Sequence, residues 1–172
     1  MFKQNRLLSR NAIRSLDLET RVQIEAQVTD QRYANWTLEH YARMDTRLES
    51  FAAEFPWRRY LFNFLGSFEG KKVLDAGCGL TMTPVIFALA GATVHAIDVA
   101  PRTVAKVREF AAFKGVAERV TGHVCPAEKL PFDAEEFDIV FGGSALHHLR
   151  LDLAIPEIVR VMKKGGKGAF QD

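Results

Sequence analysis

Cysteine, long apolar runs and an excess of either charge are scarce in this chain, and each scarcity closes off a class of function. Only 2 of the 172 residues are cysteine, Cys78 and Cys125, too few for a disulfide framework and without the spacing of a metal site. That argues for a reducing compartment, read as the cytoplasm. Lys and Arg number 23 against 21 Asp and Glu, a net charge of +2, which leaves no nucleic-acid footprint over the whole chain. No apolar run approaches the ~20 residues that span a bilayer, and no signal-peptide core follows Met1, so no membrane span is expected. Internal repeats and low-complexity linkers are absent as well. Lys3, Arg6, Arg10 and Arg14 precede the first acid, Asp17; this fits either a mitochondrial presequence or an ordinary basic helix, so the mitochondrial matrix stays open as a second address.

What is present is ordinary globular material, 48% hydrophobic and 26% charged, in a chain long enough for one domain with a proper core. Residues 16–51 contain neither Gly nor Pro and mix charged with apolar side chains, which predicts helices packed through one face. Tyr33, Trp36, Tyr41 and Met44 recur there at helix-like spacings, either as a stripe docking these helices on the core or as a wall of a substrate pocket. The chain thus divides into an N-terminal helical extension or lid, 1–50, and a core, 51–172.

The core alternates between short apolar runs and helical patterns. Strands are expected at 73–76, 93–97, 119–124, 137–141 and 168–170, with helices at 57–64, 83–90, 101–114 and 155–162; Pro156 is tolerable only in the first turn of the last helix. Such β-α alternation predicts an α/β fold with a parallel, doubly wound sheet and a ligand at the carboxyl ends of its strands. The first strand runs into Asp75-Ala76-Gly77-Cys78-Gly79, whose glycines let backbone approach a ligand with no Cβ in the way. Asp98 ends the second strand about twenty residues later, where a carboxylate can accept two ribose hydroxyls; a surface cap for the next helix is the other reading. Met82 occupies the last glycine position of a dinucleotide fingerprint, which argues against a nicotinamide or flavin cofactor.

Leu130-Pro131-Phe132, Phe137-Asp138-Ile139-Val140, Ala145-Leu146-His147-His148-Leu149 and Arg160-Val161-Met162-Lys163-Lys164-Gly165-Gly166 follow in order. With the glycine loop and Asp98, they make residues 70–170 resemble the class I S-adenosylmethionine-dependent methyltransferases, of the small-molecule type similar to quinone-biosynthesis C-methyltransferases. The resemblance implies a Rossmann-like fold, S-adenosylmethionine as cofactor and a small organic methyl acceptor. It implies that Asp75, Gly77, Cys78 and Gly79 surround the amino-acid end of the cofactor, that Asp98 binds the ribose and that Val99 lies against the adenine. Pro126 stands where the family commonly has an Asp facing the adenine amino group, so Ala127 and Glu128 take that edge, and Ser144 completes the cofactor set. His147 and His148 fall where the methyl group meets its acceptor, as proton acceptors or as packing. No metal is required. The Asn- or Asp-Pro-Pro-aromatic sequence of nucleic-acid amino-methyltransferases is missing, so base methylation is not expected.

The family sheet normally runs 3-2-1-4-5-7-6. Here the sequence stops at Asp172, predicting strand order 3-2-1-4-5 and an apolar edge that a further C-terminal segment or a second copy would cover. Two other functions stay open. A non-catalytic cofactor-binding or partner-binding module is favoured by Thr81 at a family glycine position, by Pro126 and by the shortened sheet. A nucleotide-dependent oxidoreductase is disfavoured by the glycine spacing.

Overall fold

A computed structural model describes residues 16–172; the basic stretch 3–14 and the presequence reading attached to it lie outside the described residues. Five strands form one sheet in the order β3-β2-β1-β4-β5. They are β1 Lys72–Ala76, β2 Thr93–Asp98, β3 Val120–Val124, β4 Phe137–Gly143 and β5 Met162–Gln171. Every neighbouring pair is parallel. The expected doubly wound, Rossmann-like order is therefore the observed one.

Among the described residues four helices precede the sheet: α1 Leu18–Arg32, α2 Leu38–Ala42, α3 Leu48–Ala53 and α4 Pro56–Leu65. Crossovers carry α5 Thr83–Leu89, α6 Pro101–Phe113 and α7 Leu151–Val161. Prolines open α4, α5 and α6 in the first turn, where a missing N–H is no loss. Among the described residues no helix is long and apolar enough to cross a membrane.

Alternation along β1 sorts the core onto two faces. Val73 packs with Ile86 and Phe87 of α5, Val107 and Phe110 of α6, and Phe62 and Leu65 of α4. Leu74 and Ala76 join Val140, Ala154, Ile158 and Val161 on the other face, under α7. Each fully buried Phe, Ile or Leu contributes about 1.5–3 kcal/mol by leaving water.

The aromatic stripe docks the N-terminal helices. Tyr41 is buried and stacks on Phe110 with ring centroids 4.4 Å apart, while Tyr33 and Trp36 pack against the same cluster. Met44 is exposed and takes no part.

Two elements differ from expectation. Helix α7 begins four residues early, at Leu151, because the Leu153 and Ala154 N–H groups close a first turn on the Arg150 carbonyl at 2.9 and 2.8 Å. Pro156 therefore sits inside the helix; it and Asp152, whose carbonyl would have received its N–H, are exposed, so water can hydrate that carbonyl. Strand β5 starts at Met162 rather than near 168, because Gly165-Gly166 is not a turn before the strand. It lies within the strand at a register shift opposite Phe137 and Ile139, with Gly165 at φ 76°.

Candidate active site

Parallel strands bring their carboxyl ends to one edge, and there the segments singled out by sequence converge. After β1 the chain folds back over β2: the Gly77 and Cys78 N–H groups both donate to the Ile97 carbonyl, at 3.0 and 2.9 Å. Gly77 adopts φ 74°, and a Cβ there would lie 2.8 Å from the Ala145 Cβ. The loop after β1 and the turn after β4 thus touch at a point only glycine allows. A Cβ at Gly79 would meet nothing nearer than Thr81 Cγ2 at 3.9 Å, so its backbone is open to close approach.

Asp98 is 9% exposed. Its Oδ2 accepts the Gly79 N–H and its Oδ1 accepts the Ala100 N–H, both at 2.9 Å. It is neither a surface residue nor the cap of α6, which is Ala100. Burial raises its pKa, the two N–H donors lower it, and the carboxylate of Asp30 on α1 raises it again. Asp75 is more deeply enclosed, at 1% exposure, with Oδ2 buried and without a partner among the described residues. Burial pushes its pKa up to about 7, against a hydrogen bond with Thr83 and reinforced by the charge of Asp98.

Val99 is half-buried beside Asp98. Burial pushes the Cys78 thiol well up and the Cys125 thiol up to about 11, so neither is a nucleophilic thiolate near neutral pH. Past β3, Ala127 and Glu128 are both buried. Glu128 carries a structural load that sequence reasoning missed: its Oε1 accepts from the Arg21 guanidinium and from the Arg150 N–H, the latter at 2.8 Å. Past β4, Ser144 is exposed at φ 55°, a left-handed backbone that non-glycine residues adopt at a cost of about 1 kcal/mol or more. Its N–H donates to the Gln171 carbonyl at 2.7 Å.

The two histidines follow in a short 3-10 turn, Leu146–His148, with ring centroids 4.1 Å apart. His147 Nδ1 lies 2.7 Å from Asp172 Oδ1, and His148 Nδ1 lies 3.7 Å from Glu25 Oε1. An acid beside each ring can orient it through the ring nitrogen. Glu25, Asp30 and Arg21 all come from α1, whose polar sequence gave no sign of a role. Among the described residues, no group of three or more His, Cys, Asp or Glu side chains could hold a metal ion.

A family profile described as a methyltransferase domain matches residues 74–170. The chain belongs to the methyltransferase domain family. It is 37% identical over 106 residues to an uncharacterized methyltransferase of Synechocystis sp., covering 60% of this chain and 47% of that one. It is 29% identical over 133 residues to a ubiquinone/menaquinone biosynthesis C-methyltransferase of Geobacter sulfurreducens, covering 72% and 50%. The geranyl diphosphate C-methyltransferase of Streptomyces coelicolor superposes with a TM-score of 0.62 at 22% identity, over 72% of this chain and 45% of that one, and shares the fold. The chain spans about half the length of each of these three proteins.

Proposed function

We propose that this methyltransferase domain binds S-adenosylmethionine and transfers its methyl group to a small organic acceptor. The observation that carries the reading is the union of the open Gly79 backbone with the fixed carboxylate of Asp98 at the end of β2. Each Asp98 oxygen accepts one N–H and keeps lone-pair capacity for a hydroxyl, which suits a vicinal diol. The buried, unpartnered Oδ2 of Asp75 is a second acceptor that a cationic amino-acid end would satisfy. The residues present therefore fit the cofactor.

Gly77, Cys78 and Gly79 would line its amino-acid end, Asp98 its ribose and Val99 and Ala127 its adenine, with Ser144 completing the cofactor set. Glu128 bounds the adenine edge while Arg21 and Arg150 hold its Oε1. When bound, the sulfonium supplies a methyl group that is already strongly electrophilic, so the protein's part is alignment and exclusion of water. His147, oriented by Asp172, and His148, beside Glu25, would take a proton from an acceptor that must lose one. Relatives named for quinone and sterol methylation support a small organic acceptor. The paucity of cysteine supports a cytoplasmic setting. A second copy pairing along β5, the outermost strand of the sheet among the described residues, completes the proposal.

Calorimetric titration with S-adenosylmethionine and S-adenosylhomocysteine tests it. Micromolar binding of both is expected; a folded chain that binds neither overturns it. Binding without methyl transfer to any quinol, sterol or prenyl acceptor would favour a non-catalytic binding module, the reading that Pro126 supports.

A further inference from the structure

Arg21 lies on α1 and is 1% exposed, an unusual setting for a guanidinium. One terminal nitrogen is ion-paired with the buried Glu128 carboxylate, and the other donates to the His148 carbonyl at 2.8 Å. One planar group therefore bridges the segment after β3 and the histidine turn after β4. The contacts of α1 continue on both sides of it. Glu25 reaches the His148 ring, and Asp30, in the last turn, bears on the charge of Asp98. Asp98 is left 9% exposed with α1 in place.

We infer that Arg21 is a positioning residue: its guanidinium latches α1 to the segment after β3 and to the His147–His148 turn, and so sets the place of that turn at the site. The inference rests on the cofactor reading of the site. Its physical basis is the fork geometry of arginine, which serves two acceptors in fixed directions, in a place where water cannot substitute. Without it, the buried Glu128 carboxylate would lose its ion-pair partner and the His148 carbonyl its donor.

The test compares the full chain with Arg21→Lys and Arg21→Met. Imidazole proton–nitrogen spectra are recorded without ligand, followed by titration with S-adenosylhomocysteine. Lysine keeps a positive charge beside Glu128, and hence the fold, but one ammonium cannot reproduce the two-acceptor fork. Both variants are expected to shift the His147 and His148 signals and leave those of His95 and His123, which pair within the sheet, in place. S-adenosylhomocysteine binding is expected to weaken by about tenfold or more. Unmoved His147 and His148 signals in Arg21→Lys, equal movement of the His95, His123, His147 and His148 signals, or unfolding of both variants would overturn the positioning role. Failure of the unsubstituted chain to bind S-adenosylhomocysteine would instead sink the cofactor reading, while the ligand-free spectra still decide the latch.

Discussion

The Gly79 N–H donates to Asp98 Oδ2 at 2.9 Å, which makes the acid at the end of β2 and the loop after β1 a single unit. The Ala100 N–H holds the other oxygen at the same distance, so the carboxylate rotamer is set before any ligand arrives. Asp98→Ala removes the acceptor proposed for two ribose hydroxyls and frees the Gly79 and Ala100 N–H groups. The affinity for S-adenosylmethionine should fall roughly 10- to 100-fold by calorimetry, given hydrogen bonds to a charged group of about 1.5–3 kcal/mol. Unchanged affinity would remove the ribose assignment.

Gly77→Ala should destabilise the fold by about 1–3 kcal/mol in urea denaturation, through left-handed backbone strain and contact with Ala145. The pair Gly77→Ala with Ala145→Gly relieves the contact and leaves the strain, so about half the loss should return. Full additivity of the two changes would show that the loop and the turn do not press on each other.

Asp75 has a folded pKa of about 7, above its ordinary 3.8. Between those values the folded chain holds a proton that the unfolded chain has released. Its contribution to stability is complete below pH 3.8 and is lost as pH rises through about 7. Asp75→Asn keeps a neutral partner for Thr83 and should raise stability at pH 8 by about 2 kcal/mol or more, with little change at pH 4. Thermal melts at the two pH values check this; an equal shift at both would refute it. The same substitution should weaken binding of the cationic cofactor.

His95 behaves in the opposite sense. Burial, helped by Lys72 and His123, pushes its pKa down from 6.5 to about 4, and its Nδ1 lies 2.9 Å from His123 Nε2. The unfolded chain takes the extra proton, so stability present above pH 6.5 is lost as pH falls towards 4. His95→Phe keeps an aromatic ring against Phe132 and Phe137. It should flatten the fall in melting temperature between pH 7 and pH 5, and a slope equal to that of the unsubstituted chain would show that this histidine does not titrate on unfolding.

The sheet order, the glycine loop and the position of Asp98 were legible because their signals are local. An apolar run stops at glycine, a proline opens each of α5 and α6, and the strand acid comes about twenty residues later. Pro156 and Gly165-Gly166 misled for the same reason: each is a strong local punctuation mark that tertiary contacts overrode. Glu128 anchors the Arg150 N–H ahead of α7, and β4 holds β5 through its bulge. Arg21 was invisible because its partner lies 107 residues away and its own helix reads as polar. The aromatic stripe was readable as a pattern but not as a choice between core and pocket, which the stacking of Tyr41 on Phe110 decides.

The Arg21–Glu128 pair also sets where this protein can be cut or grafted. A shortened version that discarded residues 1–50 as a detachable cap would strand a carboxylate inside the remaining core, with the histidine turn unbraced. For anyone transplanting the glycine loop and Asp98 into a new scaffold, α1 travels with them, and the smallest portable unit begins ahead of Arg21.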